Sequence, residues 1–116
     1  MQTPLTLQLV QQVLTRKEHR QVSLDLQKIA TRVAQYFDYS LQDIKSTKRD
    51  KDLALARHVT IYLMKQLTDH SLREISKFLQ RKDHSTILHS LEKVESLKQD
   101  QKFIDLLKNI ERQVTQ

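Results

Sequence analysis

The chain contains no cysteine, no glycine and no tryptophan, and only one proline. Without cysteine there is no thiolate nucleophile, no thiolate-ligated zinc and no disulfide framework, which agrees with a reducing compartment. Without glycine, P-loops and dinucleotide-binding turns are not expected, because those loops need positive φ or close backbone approach to a phosphate. Scarce glycine and proline also remove most hairpin turn signals. No apolar run nears the length of a membrane span and no signal-peptide core opens the chain, so the reading is of a soluble, cytoplasmic protein. The 116 residues suffice for a modest core without staples. Helix formers such as Leu, Gln and Lys abound, and the expected fold class is all-α.

The formal net charge of +6 is concentrated rather than spread. Ten Lys or Arg and four Asp or Glu fall between Lys45 and Lys82, which accounts for the whole excess, and the remainder is balanced. A basic surface on an otherwise neutral body points to a polyanionic partner, either nucleic acid or an acidic membrane surface. A merely solvated charged face is the plain alternative.

Hydrophobic spacing divides the chain into six or seven helical pieces. Thr6 is a candidate cap for a helix bearing Leu9, Val10, Val13 and Leu14, with Thr15 to Gln21 as a linker or a continuation. Ser23 is a candidate cap for the next, in which Leu26, Ile29, Ala30, Val33 and Phe37 form a core face. Ser40 to Asp43 fits a capping box opening a short helix, and the charged segment Lys45 to Asp52 reads as an exposed basic loop. Leu53, Ala56, Val59, Leu63 and Leu67 predict a longer central helix ending near Asp69. Ser71 to Glu74 is a second capping box, opening a helix of about two turns with Leu72, Ile75, Phe78 and Leu79. After a tight turn Asp83 caps a further helix, so that helix, turn and helix follow in order. Phe103, Leu107, Ile110 and Val114 predict a final amphipathic helix closing the core.

The helix opening at Asp83 has two sides. At 100° per residue Ile87, Leu91 and Val94 share one face, while Ser85, Thr86, His89 and Lys93 share the other. Hydroxyls, imidazole and a cation near a helix N-terminus suit base edges and phosphates in a major groove. Asp83, His84 and Ser85 include the residue types of a hydrolase triad, but neighbours on one helical turn point in different directions and form no nucleophile–base–orienter line. His84 and His89 lie about 140° apart around the helix, off the same-face spacing of helical metal ligands. Neither catalysis nor a metal site is expected. Tyr36, Phe37, Phe78 and Phe103 read as core aromatics rather than base-stacking platforms.

The run Asp83-His84-Ser85-Thr86-Ile87-Leu88-His89 resembles the Asp-His-Thr-Thr-Val-Leu-His signature of the C-terminal domain of bacterial DnaA replication initiators. Leu67 to Ile75 resembles the preceding Leu-Thr-x-x-Ser-Leu-Pro-Glu-Ile of that family, at the family's spacing. Val33 to Phe37 resembles its Val-Ala-x-Tyr-Tyr, and Lys48-Arg49 falls where it has a basic loop. The resemblance spans Ser23 to Leu97. It implies a compact multi-helix domain with a helix-turn-helix, of the DnaA C-terminal or Trp-repressor-like kind, over residues 23–116. Residues 1–22 resemble the end of the family's ATPase lid.

The resemblance also implies roles. Asp83, His84, Ser85 and Thr86 match positions that contact bases in the major groove, and Arg49 matches an arginine inserted into the adjacent minor groove, where narrow A·T-rich sequence attracts guanidinium. Lys48, Lys51, Arg57, His58, Lys65, Leu72, Arg73, Lys82 and His89 lie at or beside positions expected to touch the sugar-phosphate backbone. The implied target is double-stranded DNA carrying the DnaA box, an asymmetric site of the TTATCCACA type, at a replication origin. No cofactor is expected in this chain, since ATP would belong to the ATPase domain of a longer initiator. The competing class is a helical protein- or membrane-interaction module: residues 5–20 form a basic amphipathic stretch suited to acidic phospholipid, and the N-terminal helix is a candidate for weak self-association. The chain departs from the family pattern where Gln80-Arg81 replace Gly-Gly in the turn, which asks a non-glycine residue to take left-handed geometry at about 1 kcal/mol unless the turn is built differently. Arg73 replaces a common proline, His58 replaces a common Gln, and Asp50 and Asp52 dilute the basic loop.

Overall fold

The structure is a computed structural model that describes residues 26–116. The expected helix near Thr6, the Ser23 cap, the 1–22 segment, and the lipid and self-association surfaces assigned to it lie outside the described residues. Among these residues there are six helices and no strand: α1 over 26–36, α2 Leu41–Lys45, α3 Lys51–Leu67, α4 Leu72–Phe78, α5 His84–Leu97 and α6 Gln101–Thr115. The all-helical expectation holds for them. No helix among the described residues is long and apolar enough to cross a membrane.

Four helices, α2, α4, α5 and α6, start where a side chain satisfies free backbone amides. The Ser40 and Ser71 hydroxyls accept from the backbone amides of Asp43 and Glu74, both at 3.1 Å, and those two carboxylates accept in return from the cap amides. Asp83 and Asp100 accept from the amides of Ser85 and Lys102, each at 3.0 Å. The basic loop is shorter than its charge run suggests, because α3 begins at Lys51 rather than after Asp52. Asp50 at the cap and Asp52 in the first turn place negative charge at the positive helix end, which favours helix over loop. The helix also stops at Leu67, two residues before the expected Asp69, where Thr68 turns extended.

Two helices stop on side-chain-bearing residues in left-handed geometry, Asp38 at φ 64° and Gln80 at φ 59°. Both are Schellman closures. After α1, Tyr39 N–H donates to the Ala34 carbonyl and Asp38 N–H to Gln35; after α4, Arg81 N–H donates to Ser76 and Gln80 N–H to Lys77. The Ser76 hydroxyl adds a bond to the Arg81 carbonyl at 2.8 Å. The turn of the helix-turn-helix is thus the closure that glycine ordinarily makes, built on Gln80.

The core is one cluster drawn from all six helices, with Ile44, Leu53, Val59, Leu63, Ile75, Ile87, Val94 and Ile110 among its buried members. The central helix α3 packs against α2, α4 and α5, and α4 packs on α5. Phe103, Leu107, Ile110 and Val114 are all buried, so α6 closes the core as its spacing predicts. Arg32 of α1 donates to the Gln113 carbonyl at 3.2 Å, tying the first described helix to the last. Of the aromatics read as core, Phe103 is buried, while Tyr36, Phe37 and Phe78 are half-buried and pack against the cluster.

Gln80→Gly should raise the melting temperature by several degrees in thermal denaturation followed by circular dichroism. Relief of left-handed strain outweighs the added freedom of the unfolded chain by about 0.5–1 kcal/mol.

Candidate nucleic-acid interface

Ile87, Ser90 and Val94 are buried against α3 and α4, which leaves the other side of α5 outward. Asp83, His84, Ser85, Thr86 and His89 are all exposed. Asp83 is held charged chiefly by the bond it accepts from the Ser85 backbone N–H, which lowers its pKa from the usual carboxylate value. A carboxylate retains acceptor sites after one cap bond. The front of α5 therefore presents an acceptor, an imidazole and two hydroxyls within its first turn. Leu88 stands beside them, 48 % exposed, an outlying apolar side chain of the kind that packs on a thymine methyl.

The segment between α2 and α3 is fixed by Arg57, which reaches out of α3. Its guanidinium donates to the carbonyls of Ile44 at 2.9 Å, Asp43 at 3.0 Å and Ser46 at 2.8 Å, to the Ser46 hydroxyl at 3.0 Å, and to the Lys48 carbonyl. Arg57, expected at the DNA backbone, holds the basic loop from within. Desolvation and the nearby Arg81 push its pKa down from the ordinary arginine value, while Asp43 and Asp50 oppose them. Lys48 is exposed and pairs with Asp43 at 3.3 Å, an exposed contact weak enough to yield to a phosphate. Arg49 beside it is exposed as well.

Between the loop and α5 lies a cleft of about 350 Å³, lined by Lys48, Arg49, Arg57, His58, Arg81, Thr86 and His89, together with Thr47, Ser90 and the apolar Ile44, Ala54, Ile61 and Leu79. Among the described residues no carboxylate lines it. His58, expected to touch the DNA backbone, is half-buried on the cleft floor. Its Nδ1 lies 2.8 Å from the Ser90 hydroxyl, and its ring stands edge-on to His89 at 5.9 Å.

Of the other residues expected at the DNA backbone, Lys65, Arg73 and Lys82 are exposed and Leu72 is half-buried. Lys65 lies eight residues along α3 from Arg57, about 12 Å by helical rise, and so outside the cleft. Lys51 lines a different groove with Leu55, Lys93 and Leu97. Sequence reasoning missed Arg81, which donates to the Ser46 carbonyl at 2.8 Å across 35 residues of chain. A contact between two loops leaves no periodic signal; its only trace in the sequence is an arginine in a turn.

The fold and the exposed front of α5 define a helix-turn-helix domain. The profile of the bacterial DnaA protein helix-turn-helix matches residues 26–94. The chain belongs to that family, which is not a catalytic one. It is 46% identical over 85 residues to the chromosomal replication initiator protein DnaA of Levilactobacillus brevis, covering 70% of this chain and 19% of that protein. Among solved structures it is similar to a DNA replication initiation factor, with TM-score 0.75 and 37% identity over 87% of this chain and 31% of the other. It is also similar to a replication initiator DnaA bound to AMPPCP and single-stranded DNA, with TM-score 0.70 and 34% identity over 88% of this chain and 31% of the other. The chain thus spans less than a third of the length of each of these relatives.

Two outcomes follow from the buried side of this surface. Arg57→Met should cost about 2 kcal/mol in chemical denaturation and loosen the Ser46 to Asp50 backbone, because several carbonyls lose a charged donor. Burial, reinforced by His89, Lys93 and Arg57, lowers the His58 pKa below 6.5. As the pH falls from about 6.5 through the folded-state value, the unfolded chain therefore binds a proton that the folded chain refuses, and stability declines over that window. His58→Gln should flatten that decline in melting temperature between about pH 7.5 and 5.5.

Proposed function

We propose that this domain binds double-stranded DNA sequence-specifically, with the front of α5 in the major groove and Arg49 in the adjacent minor groove. The observation that carries the reading is the carboxylate-free basic cleft between those two elements. One sugar-phosphate strand separates neighbouring major and minor grooves, so a protein reading both must pass that strand between its two reading elements. The cleft lies there, with Lys48, Thr86 and His89 as donors to phosphate oxygens. Family membership supports the DnaA box as target and the replication origin, in the cytoplasm at the nucleoid, as the setting.

The physics divides the labour. Asp83 accepts from a cytosine amino group, His84 bonds a base edge or packs on a thymine methyl with Thr86, and each good base contact discriminates by about 1–3 kcal/mol. Phosphate contacts supply grip, with a log-log salt slope near −5 if about six phosphates are neutralised. Titrations of a box duplex and a scrambled duplex should show His84→Ala eroding the ratio between them. Lys65→Ala should weaken both alike and reduce the salt slope by about 1. Equal binding of the unaltered domain to both duplexes would overturn the reading.

A further inference from the structure

Arg81 sits in the helix-turn-helix turn, yet its guanidinium ends on the basic loop. Its backbone is fixed twice to α4, through the Arg81 N–H to Ser76 carbonyl bond and the Ser76 hydroxyl to Arg81 carbonyl bond, both at 2.8 Å. Its Nη2 donates to the Ser46 carbonyl at 2.8 Å, and Arg57 Nη2 donates to the same oxygen at the same distance. A carbonyl has two lone pairs, and here both are taken by guanidinium groups, one from the central helix and one from the turn. Ser46 begins the short segment that carries Arg49, and Arg81 lies two residues before the Asp83 cap of α5.

We propose that Arg81 is a positioning residue for specificity: by clamping the Ser46 carbonyl it fixes the spacing between the Arg49 loop and the start of α5, so that the two grooves are read in register. The proposal rests on the groove assignment given above. Arg57 hydrogen-bonds the loop to α3, whereas Arg81 hydrogen-bonds it to the turn preceding α5. Because both partners of Arg81 are within this chain, its effect passes through Arg49 and appears where Arg49 reads.

The test uses Arg81→Met, which keeps the apolar stem and the backbone bonds to Ser76 but has no donor, and Arg81→Lys, which restores one. Three duplexes are titrated: a TTATCCACA box, the same box with A·T pairs of the TTAT end changed to G·C, and the box with the C·G pairs of the other half changed to A·T. Amide hydrogen exchange at Lys48, whose N–H donates to the Ser46 hydroxyl, reports the loop without DNA. Arg81→Met should exchange faster at Lys48 and lose most of a roughly 10-fold preference for the intact TTAT end, while keeping its preference in the other half. Arg49→Ala should lose the same preference, the double variant should lose no more than Arg49→Ala does, and Arg81→Lys should recover part of it.

A uniform loss on all three duplexes with a shallower salt slope would make Arg81 a plain phosphate contact and overturn the proposal. Unchanged exchange at Lys48 would overturn the clamp whatever the DNA result. If exchange quickens in Arg81→Met but the unaltered domain shows no preference at the TTAT end, the minor-groove reading fails instead. The specificity role then falls with it, although the clamp itself stands.

Discussion

Burial of α3 is the constraint from which the rest of the structure follows. Leu53, Ala56, Val59, Thr60, Ile61, Tyr62, Leu63 and Met64 are all buried, so the helix is enclosed around much of its circumference by α2, α4 and α5. Thr60 is accommodated because its hydroxyl donates back to the Ala56 carbonyl at 2.8 Å. Arg57 and His58 are half-exposed on this helix and leave it toward the loop and α5. Packing of apolar side chains thus decides where Arg57 stands, and Arg57 decides where the loop stands.

That arrangement gathers like charges. Arg57 and Arg81 converge on one carbonyl, Lys48 and Arg49 stand beside them along the cleft, and Asp43 and Asp50 offset only part of the repulsion from outside its lining. Backbone carbonyl dipoles hold the guanidinium groups in place, but a dipole does not cancel a net charge. A polyanion does, and its binding releases condensed counterions as well. The electrostatic tension of the free domain and the proposed affinity for a phosphate strand are therefore one property.

Much of this was legible in the sequence because its signals were local. Ser40, Ser71 and Asp83 announced helix starts through hydrogen bonds spanning two or three residues, and the exposed side of α5 followed from helical periodicity. The extent of the charged segment misled, since Asp50 to Asp52 read as loop by composition while acting as a helix start by charge placement. Arg57 and His58 read only as expected DNA-backbone contacts because nothing local records that the Ile44 and Ser46 carbonyls or the Ser90 hydroxyl stand opposite them. Arg81 escaped for the same reason, its partner lying 35 residues upstream.

A chain in which every residue carries a Cβ has less freedom in its unfolded state than one whose turns contain glycine. The cost of making such a turn shifts from lost entropy to native strain at Gln80, and the turn gains stiffness in return. The angle between α4 and α5 is then settled in the free domain. A prepaid geometry of this kind leaves little reordering to subtract from binding, and a site that demands a different angle meets resistance rather than accommodation.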